Sequence, residues 1–150
     1  MILYRIAKCM YADDLSGAGA RLYGGRWNSL GKPMVYLAST RSLAVLEVLV
    51  HLSPTTFPGD FCIAEIKVPD DSIKELPIKS LPANWQDILP PIELKKIGDD
   101  FLKQQQSLLL KVPSAIVAEE FNYLLNPLHP SISKVKLIKQ LPFNFDQRLV

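Results

Sequence analysis

The 150-residue sequence has few residues that could bind a metal or cross-link the chain. It contains two cysteines, Cys9 and Cys62, and two histidines, His51 and His129, and no pair of them has the spacing of zinc ligands. We therefore expect no metal site. Two cysteines are also too few for the disulfide framework of a small secreted protein, so we expect both to be free thiols in a reducing cytoplasm.

Long hydrophobic runs and a strong net charge are also missing. The longest apolar stretch, residues 43–52, is interrupted by Glu47 and His51 and is far shorter than a membrane span. The apolar start of the chain ends at Arg5, which does not fit a secretory signal. A net charge of +2 is too small to imply general nucleic-acid binding. We expect a cytoplasmic protein that binds neither membrane nor nucleic acid directly.

The composition is that of a folded domain. Hydrophobic residues make up 48% of the chain and charged residues 21%, which excludes an intrinsically disordered protein. The length suits one domain, residues 1–150, and we find no linker that divides it. Twelve prolines against seven glycines favour an α+β protein with many fixed turns over a helical bundle.

Hydrophobic periodicity predicts most of the regular elements. Residues 12–33, which hold five of the seven glycines, are predicted as a long loop, and residues 76–91 as an irregular connection. One helix begins after a cap at Ser39 or Thr40, and because it is apolar around almost its whole circumference we expect it to be buried on all sides. A second helix runs from Pro91 to about Gln106. Strands are predicted at 2–6, 34–38, 61–68, 108–110, 114–117 and 135–141.

Two common nucleotide-binding motifs are excluded. Gly17 and Gly19 begin like the glycine fingerprint of dinucleotide-binding folds, but Leu22 occupies the place of the third glycine. No Gly-Lys-Ser or Gly-Lys-Thr follows anywhere in the chain, so a phosphate-binding P-loop is also excluded.

Glu47 is the most informative single residue, because it lies inside the apolar stretch 43–50. An unpaired carboxylate is unfavourable in a buried helix. One interpretation places Glu47 on a solvated stripe beside His51, four residues further along the helix. The other places it in a cleft, where it faces a ligand hydroxyl or a developing positive charge.

Three further residues have both a structural and a functional interpretation. Arg26 follows Gly24 and Gly25, so its guanidinium either points into solvent from a turn or binds a phosphate or carboxylate. Tyr36 is either an ordinary strand aromatic or a ring that stacks on a planar heterocycle. Ser114 follows Pro113 and either completes a turn or contacts a ligand. Neither histidine lies in a motif that would activate Ser114 as a nucleophile.

Taken in order, these motifs resemble those of the RES domain family, which is named after the Arg, Glu and Ser of its motifs. The resemblance extends over essentially the whole chain, although residues 53–107 contribute little to it. The segments that carry it are Leu3–Ile6, Gly24–Asn28, Val35–Ala38, Leu46–His51, Val112–Ala115, Asn122–Pro127, His129–Pro130 and Phe145–Leu149.

The resemblance implies an α+β domain related to the ADP-ribosyltransferase fold, with two packed sheets, flanking helices and an NAD cleft. It also implies the toxin of a bacterial type II toxin–antitoxin system. Such a toxin degrades NAD by cleaving the nicotinamide–ribose bond, as an NAD glycohydrolase (hydrolysis) or an NAD phosphorylase (transfer to phosphate). NAD would be a substrate, with no prosthetic group. The implied partner is an Xre-type antitoxin, in a complex that could contain a toxin dimer or a larger assembly.

Two alternatives to this function are a mono-ADP-ribosyltransferase that modifies a cellular protein and a catalytically inactive module that only binds a partner.

For an enzyme that cleaves NAD, the resemblance implies that Glu47 binds the ribose hydroxyls and stabilises the oxocarbenium-like state. Arg26 and Arg5 would hold the pyrophosphate or position the nicotinamide ribose. Tyr36 would stack on nicotinamide. Hydrogen bonds to the ribose or the carboxamide would come from Ser114 and Asn122.

Overall fold

The computed structural model describes residues 1–53 and 59–149. The three α-helices in these ranges are α1 (Ala18–Tyr23), α2 (Arg41–Leu49) and α3 (Ile92–Gln104). The strands are β1 (Ile2–Lys8), β2 (Val35–Ala38), β3 (Phe61–Lys67), β4 (Ile73–Glu75), β5 (Leu109–Pro113), β6 (Phe121–Leu125) and β7 (Lys136–Pro142). Short 3₁₀ turns lie at Ile78–Ser80, Pro130–Lys134 and Gln147–Leu149. Among the described residues, no helix is long and apolar enough to cross a membrane.

The strands form one seven-stranded sheet in the order β4-β5-β6-β2-β1-β3-β7. All neighbours are antiparallel except β4 and β5. The α+β class is therefore confirmed, but the two packed sheets implied by the resemblance are joined here into one.

Only one residue pair joins the two halves of this sheet. β1 pairs with β3 along its whole length, whereas it pairs with β2 only through Tyr4 and Ala38. Away from that pair the two halves of the sheet separate and leave an opening.

Apolar side chains cover both faces of the sheet. In β2, Val35 and Leu37 belong to one buried cluster, while Tyr36 packs against a second cluster together with residues of α3. This division follows from the alternation of side chains along a strand. A third cluster, which contains Leu43, lies between α2 and the strands beside it. The core thus fixes α2 and α3 against the strands that flank the opening.

Several element predictions need correction. Residues 12–33 are not all loop, because they contain α1. The predicted strand 114–117 is a turn: the Ser114 hydroxyl accepts hydrogen bonds from the backbone N–H groups of Ile116 and Val117, and the strand starts later, as β6. The predicted strand 108–110 is too short, because β5 continues from Leu109 to Pro113, and β4 was not predicted.

The prediction that α2 is buried on all sides is also wrong. Leu43 and Ala44 are its buried residues, whereas Val50, which caps its C-terminus, is 56% exposed. The helix packs on β1 and β2 through one side, where Val45 and Val48 add to the cluster of Leu43 and Ala44, while Leu46 is exposed.

The expectation of two free thiols is wrong as well, because Cys9 and Cys62 form a disulfide. Ala7 of β1 pairs with Cys62 of β3, and Cys9 follows two residues later. This register brings the two Cα atoms to 4.7 Å, within the range that a disulfide can span. The strand register creates the contact, and a sequence separation of 53 residues gives no sign of it.

Helix α3 lies directly against the backbone of the segment that carries Arg26. A Cβ atom added to Gly98 would lie 1.6 Å from the Trp27 carbonyl oxygen. No side chain fits there unless the helix or the segment moves. Gly98 therefore permits the close approach of α3 to the backbone at Trp27, and this contact supports the segment that carries Arg26.

We predict that Gly98→Ala lowers the free energy of unfolding by about 1–3 kcal/mol, since it overpacks this contact. Gly19→Ala is the matched control, because Gly19 lies in α1 and nothing lies within 4 Å of the added Cβ. The control should be neutral or stabilising by about 0.5–1 kcal/mol. Urea denaturation measures both values, and equal effects of the two substitutions would contradict the close packing of α3.

Candidate active site

A cleft of about 850 Å³ opens where β1 and β2 separate. Its walls come from both strands, from α2, from the segment Gly24–Trp27 and from residues 88–90. Both the volume and the mixture of apolar walls with a few polar groups are typical of a small-molecule site.

Glu47 lies on α2 and faces this cleft. Thr40 caps the helix by accepting a hydrogen bond from the backbone N–H of Leu43 at 3.0 Å, as the sequence predicts. The Glu47 Oε1 atom accepts two hydrogen bonds, one from Ser114 Oγ at 2.8 Å and one from Asn122 Nδ2 at 2.6 Å. No donor to Oε2 is found among residues 1–53 and 59–149. The carboxylate is therefore oriented through one oxygen, and the other is available to a ligand.

Ser114 bonds Glu47 from the side away from the cleft. Its side chain is almost completely buried, with 1% exposure, and the residues on either side of it line the cleft while it does not. Its hydroxyl donates to Glu47 and accepts from two backbone N–H groups of the following turn. A hydroxyl with one proton has no further donor capacity in this arrangement.

Asn122 contacts Glu47 from the sheet. It lies in β6, opposite Ala38 of β2 and Val112 of β5, and it lines the cleft. The side-chain amide bonds Glu47 through its nitrogen. Because β6 is an interior strand, the position of this amide is fixed by pairing on both sides.

Arg26 lies on the other wall of the cleft. Its Nη1 atom donates to the backbone carbonyl of Trp85 at 2.8 Å. Burial lowers the pKa of the Arg26 guanidinium, and the nearby Glu47 carboxylate opposes this shift. An arginine remains charged in either case, so the cleft holds a cation on one wall and an anion on the other.

Tyr36 fixes the segment next to Arg26. Its hydroxyl accepts a hydrogen bond from the Trp27 backbone N–H at 3.1 Å and donates to Asn28 Oδ1 at 2.7 Å. A Cβ atom on Gly25 would lie 2.6 Å from the same hydroxyl, so glycine is required there. Burial raises the pKa of the Tyr36 phenol, which keeps it protonated as a donor. The ring itself lines the cleft.

Sequence reasoning missed two residues that support this wall. Asn28 is fully buried, and its amide nitrogen donates to the backbone carbonyls of Ala20 and Lys32. Asp99 of α3 accepts hydrogen bonds from the backbone N–H of Ser29 at 3.0 Å and from its hydroxyl at 2.6 Å. The position of Asn28 directly after the Gly-Gly-Arg-Trp motif was the available signal, whereas nothing near Asp99 pointed to this role.

Arg5 reaches the cleft from β1. Its Nη1 atom donates to the backbone carbonyl of Asp14, in the loop that follows the strand. Burial lowers the pKa of Arg5, and the carboxylates of Asp14 and Asp13 act in the opposite direction. A half-buried, oriented guanidinium at a cleft is typical of an anion site.

The structure thus brings together the residues singled out in the sequence. Five of them line the cleft: Arg5, Arg26, Tyr36, Glu47 and Asn122. Ser114 joins them through Glu47. The hydrogen bonds of Glu47 go to Ser114 and Asn122, which favours the cleft interpretation over a solvated pair with His51. In the described part of the chain, no three His, Cys, Asp or Glu side chains are placed to hold a metal ion.

Comparison with known proteins identifies the family. The RES domain matches residues 2–146. This chain belongs to the RES domain family. A protein named Toxin Res from Photorhabdus laumondii is 43% identical over 152 aligned positions, which cover 100% of this chain and 97% of the relative. A Prs ADP-ribosylating toxin from Sphingobium sp. is 40% identical, covering 96% of this chain and 91% of its own length.

The fold of this chain is also found in a solved structure. The crystal structure of the M. tuberculosis MbcT-MbcA toxin-antitoxin complex contains a chain that superposes with a TM-score of 0.78. The match covers 95% of this chain and 84% of the other, at 20% sequence identity. At that identity the likeness establishes the fold.

We predict that Tyr36→Phe lowers the free energy of unfolding by about 1–3 kcal/mol, because the buried Asn28 oxygen and the Trp27 N–H lose their partner. Tyr23→Phe is the control, since Tyr23 is largely exposed. Thermal or urea unfolding followed by circular dichroism measures both. If both substitutions lowered the free energy of unfolding equally, the hydrogen bonds of the Tyr36 hydroxyl would not stabilise the fold.

Proposed function

We propose that this RES protein is a toxin that degrades NAD by cleaving its nicotinamide–ribose bond. The observation that carries the proposal is the arrangement of Glu47, whose carboxylate is oriented by Ser114 and Asn122 and faces a cleft with two arginines on its walls.

The chemistry of this bond requires a negative charge near the ribose. As nicotinamide leaves, positive charge develops on the ring in an oxocarbenium-like state, as in glycoside hydrolysis. Glu47 supplies that charge, and its Oε2 atom accepts a hydrogen bond from a ribose hydroxyl. Because Ser114 and Asn122 hold the carboxylate in advance, little reorganisation is needed during the reaction.

The other cleft residues bind the rest of the substrate. Arg26 and Arg5 pair with the pyrophosphate oxygens, which guanidinium groups bind well. Tyr36 packs its ring against nicotinamide. Asn122 lines the cleft beside Glu47 and can contact the ribose through its oxygen. Ser114 is buried and fully engaged, so we assign it a positioning role and not direct contact with substrate.

The acceptor of the ADP-ribosyl group defines the reaction type. With water the protein is an NAD glycohydrolase, and with phosphate it is an NAD phosphorylase; neither needs a prosthetic group. A second candidate is transfer to a protein side chain. It is favoured by the relative named as an ADP-ribosylating toxin, which is 40% identical to this chain.

We further propose that an antitoxin of the Xre type neutralises the protein in the cytoplasm, where NAD is consumed. This proposal is supported by the relatives named Toxin Res and by the fold shared with a chain of a toxin-antitoxin complex.

We predict that Glu47→Gln retains the fold and slows nicotinamide release from NAD by about 10²–10³-fold, because one preorganised electrostatic partner of the transition state is lost. Glu93→Gln, on the exposed start of α3, is the matched control and should leave the rate unchanged. Release is measured by chromatography after circular dichroism has verified the fold. A Glu47→Gln rate within a few-fold of wild type would overturn the role of Glu47.

The same assay separates the possible functions. Free nicotinamide together with ADP-ribose indicates hydrolysis, and a phosphate-dependent rate with a phosphorylated product indicates phosphorolysis. Radiolabel transferred from NAD to a protein supports the second candidate. Intact NAD under all conditions would leave only a binding module and would contradict both enzymatic proposals.

We also predict that expression without an antitoxin arrests bacterial growth and lowers cellular NAD. The Glu47→Gln protein, produced at the same level, should do neither. Unchanged growth and NAD on expression of the wild-type protein would contradict the toxin proposal.

A further inference from the structure

Three of the large apolar side chains that line the cleft are almost fully exposed to solvent. Tyr23 at the end of α1 is 84% exposed, and Ile88 and Leu89 are 94% and 86% exposed. All three line the cleft. We call them the outer shelf. Exposed apolar groups that cluster in one concave place mark a binding site more often than isolated ones do.

The segment that carries Ile88 and Leu89 is held in place. Arg26 donates to the Trp85 carbonyl, so a cleft arginine fixes the start of this segment. Asp87 donates its backbone N–H to the carbonyl of Asn84, which closes a turn, and Pro90 and Pro91 restrict the backbone after Leu89. The two side chains are therefore presented to solvent by an ordered backbone.

A further cation, Lys95, lies beside the stretch of chain that joins Tyr23 to Arg26. Lys95 lines the cleft, and its Nζ atom would lie 3.5 Å from a Cβ placed on Gly24. Gly24 follows Tyr23 and precedes Gly25 and Arg26. The cleft thus holds the Tyr23 ring, the Lys95 ammonium and the Arg26 guanidinium on or beside one short stretch of chain, and Arg26 lies close enough to Glu47 for the two charges to interact.

We propose that the outer shelf binds the planar base at the far end of a dinucleotide, with Lys95 paired to the adjacent phosphate. The inference rests on the proposed function, because it extends the substrate outward from the bond at Glu47. A dinucleotide carries a planar ring at each end and two phosphates between them. The cleft offers matching groups, with two aromatic rings in Tyr36 and Tyr23 and two cationic side chains in Arg26 and Lys95.

The physical basis is ring stacking and apolar contact. A base stacks on the Tyr23 ring and covers Ile88 and Leu89, which removes their apolar surface from water. Stacking on an aromatic side chain tolerates any base, so the shelf confers preference for a dinucleotide over a mononucleotide without reading hydrogen bonds.

The test compares NAD with nicotinamide mononucleotide, which lacks the adenosine half. In Tyr23→Ala and Leu89→Ser proteins, the KM for NAD should rise about tenfold while kcat is retained, because only binding of the remote base is lost. The KM for nicotinamide mononucleotide should not change. Lys95→Gln should likewise raise the KM for NAD.

Matched controls lie next to each position. Leu22→Ser alters an apolar residue of α1 that is 61% exposed and does not line the cleft. Lys96→Gln alters the exposed neighbour of Lys95. Both should leave the KM for NAD unchanged. Shelf variants that match these controls would overturn the inference, even if they weakened binding of a protein partner, which would assign the shelf to that partner instead.

AMP separates this inference from the proposed function. Calorimetric titration of the wild-type protein should detect AMP binding, and Tyr23→Ala should weaken it about tenfold. If NAD is not cleaved but AMP binds in this way, the proposed reaction fails and the shelf remains. If NAD is cleaved but AMP does not bind, the shelf is wrong and the reaction remains. If NAD is not cleaved and AMP does not bind, both fail.

Discussion

The pair of hydrogen bonds to Glu47 Oε1 is the interaction on which the site depends. A half-buried carboxylate on a mostly apolar helix is costly unless donors reach it. Ser114 directly follows β5 and Asn122 lies in β6, so two interior strands together position the groups that orient one charge on α2. These bonds also tie the helix to the sheet at the place where the single Tyr4–Ala38 pair leaves the sheet open.

The opposite wall of the cleft is built by a different means. No side chain bonds Arg26 in the described part of the chain, and its guanidinium is oriented by a backbone carbonyl. The segment that carries Arg26 packs against α3 at Gly98. It also forms hydrogen bonds with the Asp99 carboxylate and the Tyr36 hydroxyl. The Glu47 carboxylate is thus oriented directly by side chains, whereas the Arg26 guanidinium is oriented by a backbone carbonyl, and a ligand between them meets both charges already in place.

Much of this site could be predicted from sequence, because a carboxylate in an apolar helix and an arginine after two glycines violate local expectation. Glu47 and Arg26 stand out for that reason. The Cys9–Cys62 disulfide could not be predicted, since it depends on the register of β1 and β3. The α+β class was predictable, but the single pair that joins two half-sheets was not, because pairing at one residue leaves no trace in hydrophobic periodicity. The role of Asp99 was not predictable, because its position among the polar residues of α3 does not distinguish it from its neighbours.

The most direct test of the account is a double-mutant cycle on nicotinamide release, with Glu47→Gln and Ser114→Ala made singly and together. Ser114 does not line the cleft, so it should affect the reaction only through the carboxylate it orients. Proteins whose fold is verified by circular dichroism should then show strong coupling, with Ser114→Ala costing less than about threefold once Glu47 is already replaced. Rate losses that multiply independently would contradict the claim that this hydrogen bond serves the charge of Glu47.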